Sequence, residues 1–216
     1  MLCPICQKRK AKRFCPAKGE NICSVCCGTE REVTIDCPSD CPHLVASREY
    51  DWERRKESDS FNPSQAPFPE ARLDRDFIID HVELVSVFSY AICRFARDHR
   101  PLVDSDVIAT LTLLAETYRT LSSGIYYEKL PGYRLQAELY QALQAALADF
   151  KKKQATALST GVRDSEVRDV FMSLARLGYF RQNGRPRGRA FLDTLRRQFT
   201  SPELKQPTAS NLLVLP

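Results

Sequence analysis

Eight of the nine cysteines lie between positions 3 and 41, and Cys93 stands apart. Thiols crowded in this way make disulfides or metal sites. Three features favour metal. Cys3-Pro-Ile-Cys6 and Cys23-Ser-Val-Cys26 have a spacing that lets a tight turn aim two sulfurs at one ion. A ninth cysteine would be left over in an oxidising compartment. No charged and then apolar leader precedes Cys3, so the chain reads as cytoplasmic. A redox dithiol or a reduced cluster is the competing reading of the same pairs. Cys15-Pro16, Cys27-Gly28 beside Cys26, and Cys37-Pro-Ser-Asp-Cys41-Pro-His43 complete the set. Structural zinc is tetrahedral and closed. Cys3, Cys6, Cys15, Cys23, Cys26, Cys27, Cys37 and Cys41 therefore suit two structural Zn²⁺ ions with no vacant catalytic position. His43 is an alternative ligand, displacing Cys27 or Cys41. Cys41 is preferred, because eight cysteines already complete the count.

A segment of some 40 residues cannot bury enough apolar surface to fold alone, and metal supplies the missing stability. Metal also changes the charge balance. The formal net charge is +5, with 32 Lys and Arg against 27 Asp and Glu. Eight thiolates (−8) and two Zn²⁺ (+4) bring it near +1, so gross charge argues for neither a nucleic-acid nor a membrane partner. No apolar run reaches the roughly 18 residues that a membrane span needs.

The segment from Cys3 to His43 resembles the cross-brace zinc fingers of the HIT, MYND and B-box families. The resemblance spans about a fifth of the chain. It implies that ligand pairs one and three hold one ion (Cys3, Cys6, Cys23, Cys26) and pairs two and four the other (Cys15, Cys27, Cys37, Cys41). HIT fingers usually carry a CPxC pair where this chain has Cys15-Pro16-Ala17-Lys18; Cys27 then stands in for the missing cysteine. Such modules mostly serve protein interaction, which makes a protein partner the expectation here.

The elements that must carry this module are short. Arg13-Phe14 and the alternating Glu32-Val33-Thr34-Ile35-Asp36 read as a possible hairpin. Residues 44–60 read as a mostly polar helix that packs Trp52. Pro63, Pro67 and Pro69 then mark a linker. This divides the chain into a zinc module (1–43), a polar helix and linker (44–72), an all-α domain (73–200) and a tail (201–216). Apolar residues at three- and four-residue spacing predict helices over 73–99, from a cap at Asp104 or Ser105 to Gly124, through Leu135–Phe150, over Asp164–Leu177 and over Gly188–Phe199. Strand signals are absent there. The fold class is a small zinc-stabilised module followed by an all-α helical bundle.

Other chemistry is sparse. His81 reads as a hydrogen-bonded boundary residue, His99 as a helix-end residue, Cys93 as a buried thiol, and Tyr126 and Tyr127 as packing in a helix connection. No HExxH, GxSxG, P-loop or GxGxxG occurs. The expectation is a protein that is not an enzyme. Two basic stretches stand out. Lys8, Arg9, Lys10, Lys12, Arg13 and Lys18 offset the charge of the thiolates or meet phosphate. Residues 161–200 hold nine arginines, no lysine and four acids. Within them Arg181, Arg185, Arg187 and Arg189 lie on or beside a Gly/Pro-containing loop suited to phosphate or a carboxylate-rich surface. The favoured function is a zinc-dependent protein-interaction element attached to a helical domain. The alternative is a nucleic-acid-binding regulator using residues 8–18 and 181–189.

Overall fold

The computed structural model describes residues 1–57, 66–71, 75–124, 127–156 and 161–199. The readings of Tyr126, the start of the linker and the tail fall outside these, as does the side chain of Trp52. The described residues are mostly helical, with one small sheet. In chain order they form β1 (Arg13–Cys15), β2 (Glu20–Ile22), α1 (Ser24–Glu30), α2 (Pro42–Glu57), α3 (Arg75–Asp80), α4 (Val82–Asp98), α5 (Asp104–Ser122), α6 (Arg134–Thr156), α7 (Asp164–Arg181) and α8 (Ala190–Arg196).

The chain divides into two compact units. The first takes the described residues up to 57 together with Asn183–Ala190; the second takes those from 66 to 182 together with 191–199. This differs from the division read from sequence, which put α2 with a linker and residues 183–190 inside the helical domain. Arg48 ties α2 into the first unit through its ion pair with Glu32 at 2.6 Å, and Leu44 of the same helix is 1% exposed.

In the first unit β1 and β2 pair antiparallel, with Phe14 opposite Asn21. Gly19, at φ +67, turns the chain between them, and its amide donates to Cys15 O at 2.9 Å. The hairpin is therefore present, but its second strand is Glu20–Ile22. Residues 32–36, expected as a strand, instead close a tight turn. Glu30 O accepts from the amides of Val33, Thr34 and Ile35, and Glu32 adopts φ +52. Helix α1 was not expected. It forms because Cys23 caps it, its sulfur accepting from Cys26 N at 3.4 Å.

In the second unit α5 packs on α7 and α6, and α4 packs on α6. Phe88 stacks on Phe171 at 4.3 Å in a core that also buries Leu111, Leu114, Leu143 and Leu192. Helix α7 carries Gly178 where a Cβ would lie 2.8 Å from Ile108 Cγ1 and 2.9 Å from Phe191 Cε1. The missing side chain is what allows this approach. The helix expected over 73–99 is broken at His81, whose backbone leaves the helical region (ψ 19). The imidazole Nδ1 hydrogen-bonds Phe77 O at 3.0 Å, and the ring stacks on Phe77. His99 repeats this at the end of α4 with Phe95, so both histidines are boundary groups as read. Gly124, at φ +78, ends the turn after α5, and Cys93 is fully buried, its thiol pushed up to about 12 by burial.

Asp104 does not cap its own helix through its side chain. It is 2% exposed, and its two oxygens accept from Phe191 N (2.9 Å) and Leu192 N (3.0 Å), capping α8 from 87 residues away. Asp106 serves α5 instead, accepting from Val103 N at 3.3 Å. Asp104→Ala is expected to cost about 2 kcal/mol, because two buried amides lose their acceptor. Ser105→Ala, on an exposed residue, should change stability by less than about 0.5 kcal/mol. Urea denaturation midpoints of the two variants check this.

Candidate metal centre

Four sulfurs converge in the first unit. The Sγ atoms of Cys3, Cys6, Cys23 and Cys26 all lie within 4.8 Å of one another. The Cys6–Cys23 separation is 3.9 Å. A tetrahedral ion with Zn–S bonds of about 2.3 Å needs sulfurs about 3.8 Å apart, so the residues present fit such an ion. None of the nine cysteines is bridged.

Each sulfur is placed by local structure. Cys3 and Cys6 sit on a turn closed by Gln7 N donating to Cys3 O at 2.7 Å, with Gln7 at φ +51. Cys23 is the residue before α1 and Cys26 lies in its first turn. Successive helical residues point about 100° apart. Cys27 therefore cannot share the cluster with Cys26; it lies near Arg31, whose Nη2 approaches its sulfur at 3.6 Å. The doublet is thus divided by helix geometry.

The electrostatics of the cluster are in tension. Amides at Lys8 and Arg9 aim at Cys6; the first of these, against burial, leads in lowering its thiol to about 6. Burial opposes ionisation of Cys3, but amides of Cys23, Cys6 and Ile5 outweigh it and lower the pKa. Cys26 is pushed up to about 12 by burial and by the sulfurs of Cys23, Cys6 and Cys3. Cys3 and Cys6 are biased toward ionisation, and Cys26 resists it because of burial and then the other sulfurs. A dication relieves that repulsion by binding thiolates and releasing protons.

The other expected ligands are arranged differently. Cys15, Cys27 and Cys37 border the same small core, and Cys41 is buried at the start of α2. Burial pushes Cys37 up to about 11; an amide at Glu32 opposes this, and the sulfurs of Cys41 and Cys15 add to it. Among the described residues only Cys3, Cys6, Cys23 and Cys26 close to within 4.8 Å as a group. His43 is half-buried in the first turn of α2 and belongs to no such group.

The arginines of the loop are engaged inside the first unit. Arg185 Nη1 donates to Gly28 O at 3.2 Å and to Arg31 O. Arg189 has a side chain only 8% exposed and pairs with Asp36 at 2.7 Å. Arg187 has an exposed side chain, but its amide donates to Glu32 O at 2.9 Å. Arg181 closes α7 in the second unit and is half-buried. Sequence reasoning missed the residue around which the loop is built. Glu32 is 2% exposed, and its carboxylate accepts from Arg48 Nη2 (2.6 Å), Asn183 Nδ2 (2.6 Å) and Arg189 N (3.2 Å). Its partner Asn183 lies 151 positions away, beyond any local pattern.

No family model matches the chain, and neither a curated protein nor a solved structure matches it. The four-cysteine cluster, compatible with a zinc-finger-like module, stands on its own geometry.

Cys26→Ser is expected to lower the metal content measured by mass spectrometry by one ion per chain, whereas Cys93→Ser, in the second unit, should leave it unchanged. Chelation should abolish ordered NMR signals from residues 1–43 while the core amides of α5 and α7 remain.

Proposed function

We propose that this chain is a non-enzymatic zinc-binding protein whose cysteine-rich module presents a surface to a protein partner. The observation that carries this is the four-sulfur group. Four thiolates fill a tetrahedral ion and leave no position for substrate, which suits a scaffold rather than a catalyst. A second ion on Cys15, Cys27, Cys37 and Cys41, with His43 as the alternative ligand, is part of the same reading. It is supported by the cysteine count and by the sulfurs of Cys41 and Cys15 lying close enough to Cys37 to act on its thiol. The unbridged cysteines suit a reducing, cytoplasmic setting. No helix among the described residues is long and apolar enough to cross a membrane.

The presented surface follows from strand alternation. Lys10, Lys12 and Phe14 are exposed, while Ala11, Arg13 and Cys15 between them are more covered. Phe14 is 59% exposed, and Leu2, at 57%, bridges to Lys10. Apolar groups set among cations suit a partner that is acidic and partly apolar.

Nucleic acid is the second reading. Lys8, Arg9, Lys10, Lys12, Arg13 and Lys18 support it, with Glu20 the only acid among the first 23 residues. The internal bonds of Arg185 and Arg189 leave it resting mainly on residues 8–18.

Affinity capture with the zinc-loaded chain, with and without nuclease treatment, separates the two. A protein partner is retained after nuclease and lost with Phe14→Ala/Lys12→Glu. Nucleic-acid binding is instead nuclease-sensitive, and its affinity falls with log salt at a slope of about −0.7 per phosphate contacted on a single strand. Binding unaffected by the variant and by chelation would sink both readings.

A further inference from the structure

Helix α1 lies between two sets of interactions. At its start, Cys23 and Cys26 belong to the sulfur group, and Cys23 N donates to Cys3 Sγ at 3.3 Å. At its end, Gly28 O and Arg31 O accept from Arg185, and Glu32 follows directly with its bonds to Asn183, Arg187 and Arg189. The helix has seven residues, one of them Gly28. A helix this short has no stability of its own, since nucleation costs more than two turns return. Its form depends on what holds its first turn.

The docked loop is shaped for this place. Gly184 adopts φ +70, and a Cβ on Gly188 would lie 2.3 Å from Asn183 Oδ1. That same oxygen accepts from Arg185 N at 3.1 Å. The turn that aims Arg185 at α1 therefore requires glycine at 188. The loop offers side-chain and amide donors, and the module offers two carbonyls at the end of α1, a third at Glu32, and the carboxylates of Glu32 and Asp36.

We propose that loop 183–189 is a metal-conditional latch, docked on the module only while Cys3, Cys6, Cys23 and Cys26 hold an ion. This rests on the metal-binding reading above. Loss of the ion removes the bonds that fix Cys23 and Cys26 at the first turn, and α1 unwinds. The carbonyls of Gly28 and Arg31 then leave the positions that Arg185 reads, and the Glu32 turn loses its support. The loop comes free with Arg185 and Arg189 released from their internal partners, next to the already exposed Arg187. The basic segment that the sequence suggests for anions is in this way withheld by the metal-loaded module and offered by the metal-free one.

Hydrogen exchange of the full chain, read by mass spectrometry with zinc bound and after chelation, tests this. With zinc, peptides covering 183–190 should exchange slowly, because the amides of Arg187 and Arg189 are bonded to Glu32. Chelation should speed them at least about tenfold, while the core amides of α5 stay protected. Glu32→Ala should retain its zinc and still show the fast loop exchange of the chelated chain. The latch is overturned if chelation exposes residues 3–31 and leaves 183–190 protected, or if Glu32→Ala keeps both its zinc and its loop protection. A chain that takes up no zinc, and whose residues 3–31 exchange identically with and without it, would overturn the metal reading itself and the latch with it.

Discussion

A carboxylate that is 2% exposed must be met by donors or it destabilises the fold by several kcal/mol, and Glu32 is met on every side. Arg48 comes from α2, and Asn183 and the Arg189 amide come from a segment about 150 residues further on. The backbone at Glu32 is in the left-handed region, φ +52, and its carbonyl accepts from Arg187. Removing one partner of such a buried ion pair typically costs about 3–5 kcal/mol, because the other charge is left stranded. This requirement explains why the first unit contains two distant stretches of chain. It also explains why the Glu30–Ile35 turn replaces the strand that alternation suggested.

The sulfur group imposes the second constraint on the same unit. Four buried or half-buried thiols within 4.8 Å of one another do not ionise together unaided. A cation held there would resolve that conflict and fasten the Cys3–Cys6 turn and the start of α1 to one point. Helix geometry assigns Cys26 to this point and turns Cys27 toward Arg31. The cationic residues 8–18 then lie in sequence between the ligand pairs, with Phe14 exposed among them. The stretch thus sets cations and an exposed aromatic side by side between the two ligand pairs.

Much of the architecture was legible in sequence because the signals are local. Apolar periodicity located α5, α7 and α8 to within a few residues, merged α3 with α4 and stopped α6 short of Thr156; Gly124 marked the end of the α5 turn, and the CxxC pairs located the sulfur cluster. The set Cys3, Cys6, Cys23 and Cys26 is also the one that the resemblance to cross-brace fingers grouped at a single ion. Helix α1 was less visible, because a seven-residue helix with a glycine and two cysteines has no apolar period to show. The strand expected at 32–36 failed for a related reason: Val33 and Ile35 alternate with polar residues, but Val33 is exposed and Glu32 is buried along with Ile35.

The sequence by itself determined where the cysteines lie from which the sulfur group is drawn, where most helices run and how much positive charge the 8–18 and 181–189 stretches carry. Tertiary structure alone decided what those charges do. Asp104 reads as a cap for its own helix and instead caps α8; Arg185 and Arg189 read as open to anions and instead bind carbonyls and a carboxylate in the first unit. In each case the partner is far away in the chain. Hydrogen bonds and ion pairs form between groups that are near in space, and a local pattern of residues carries no record of that distance.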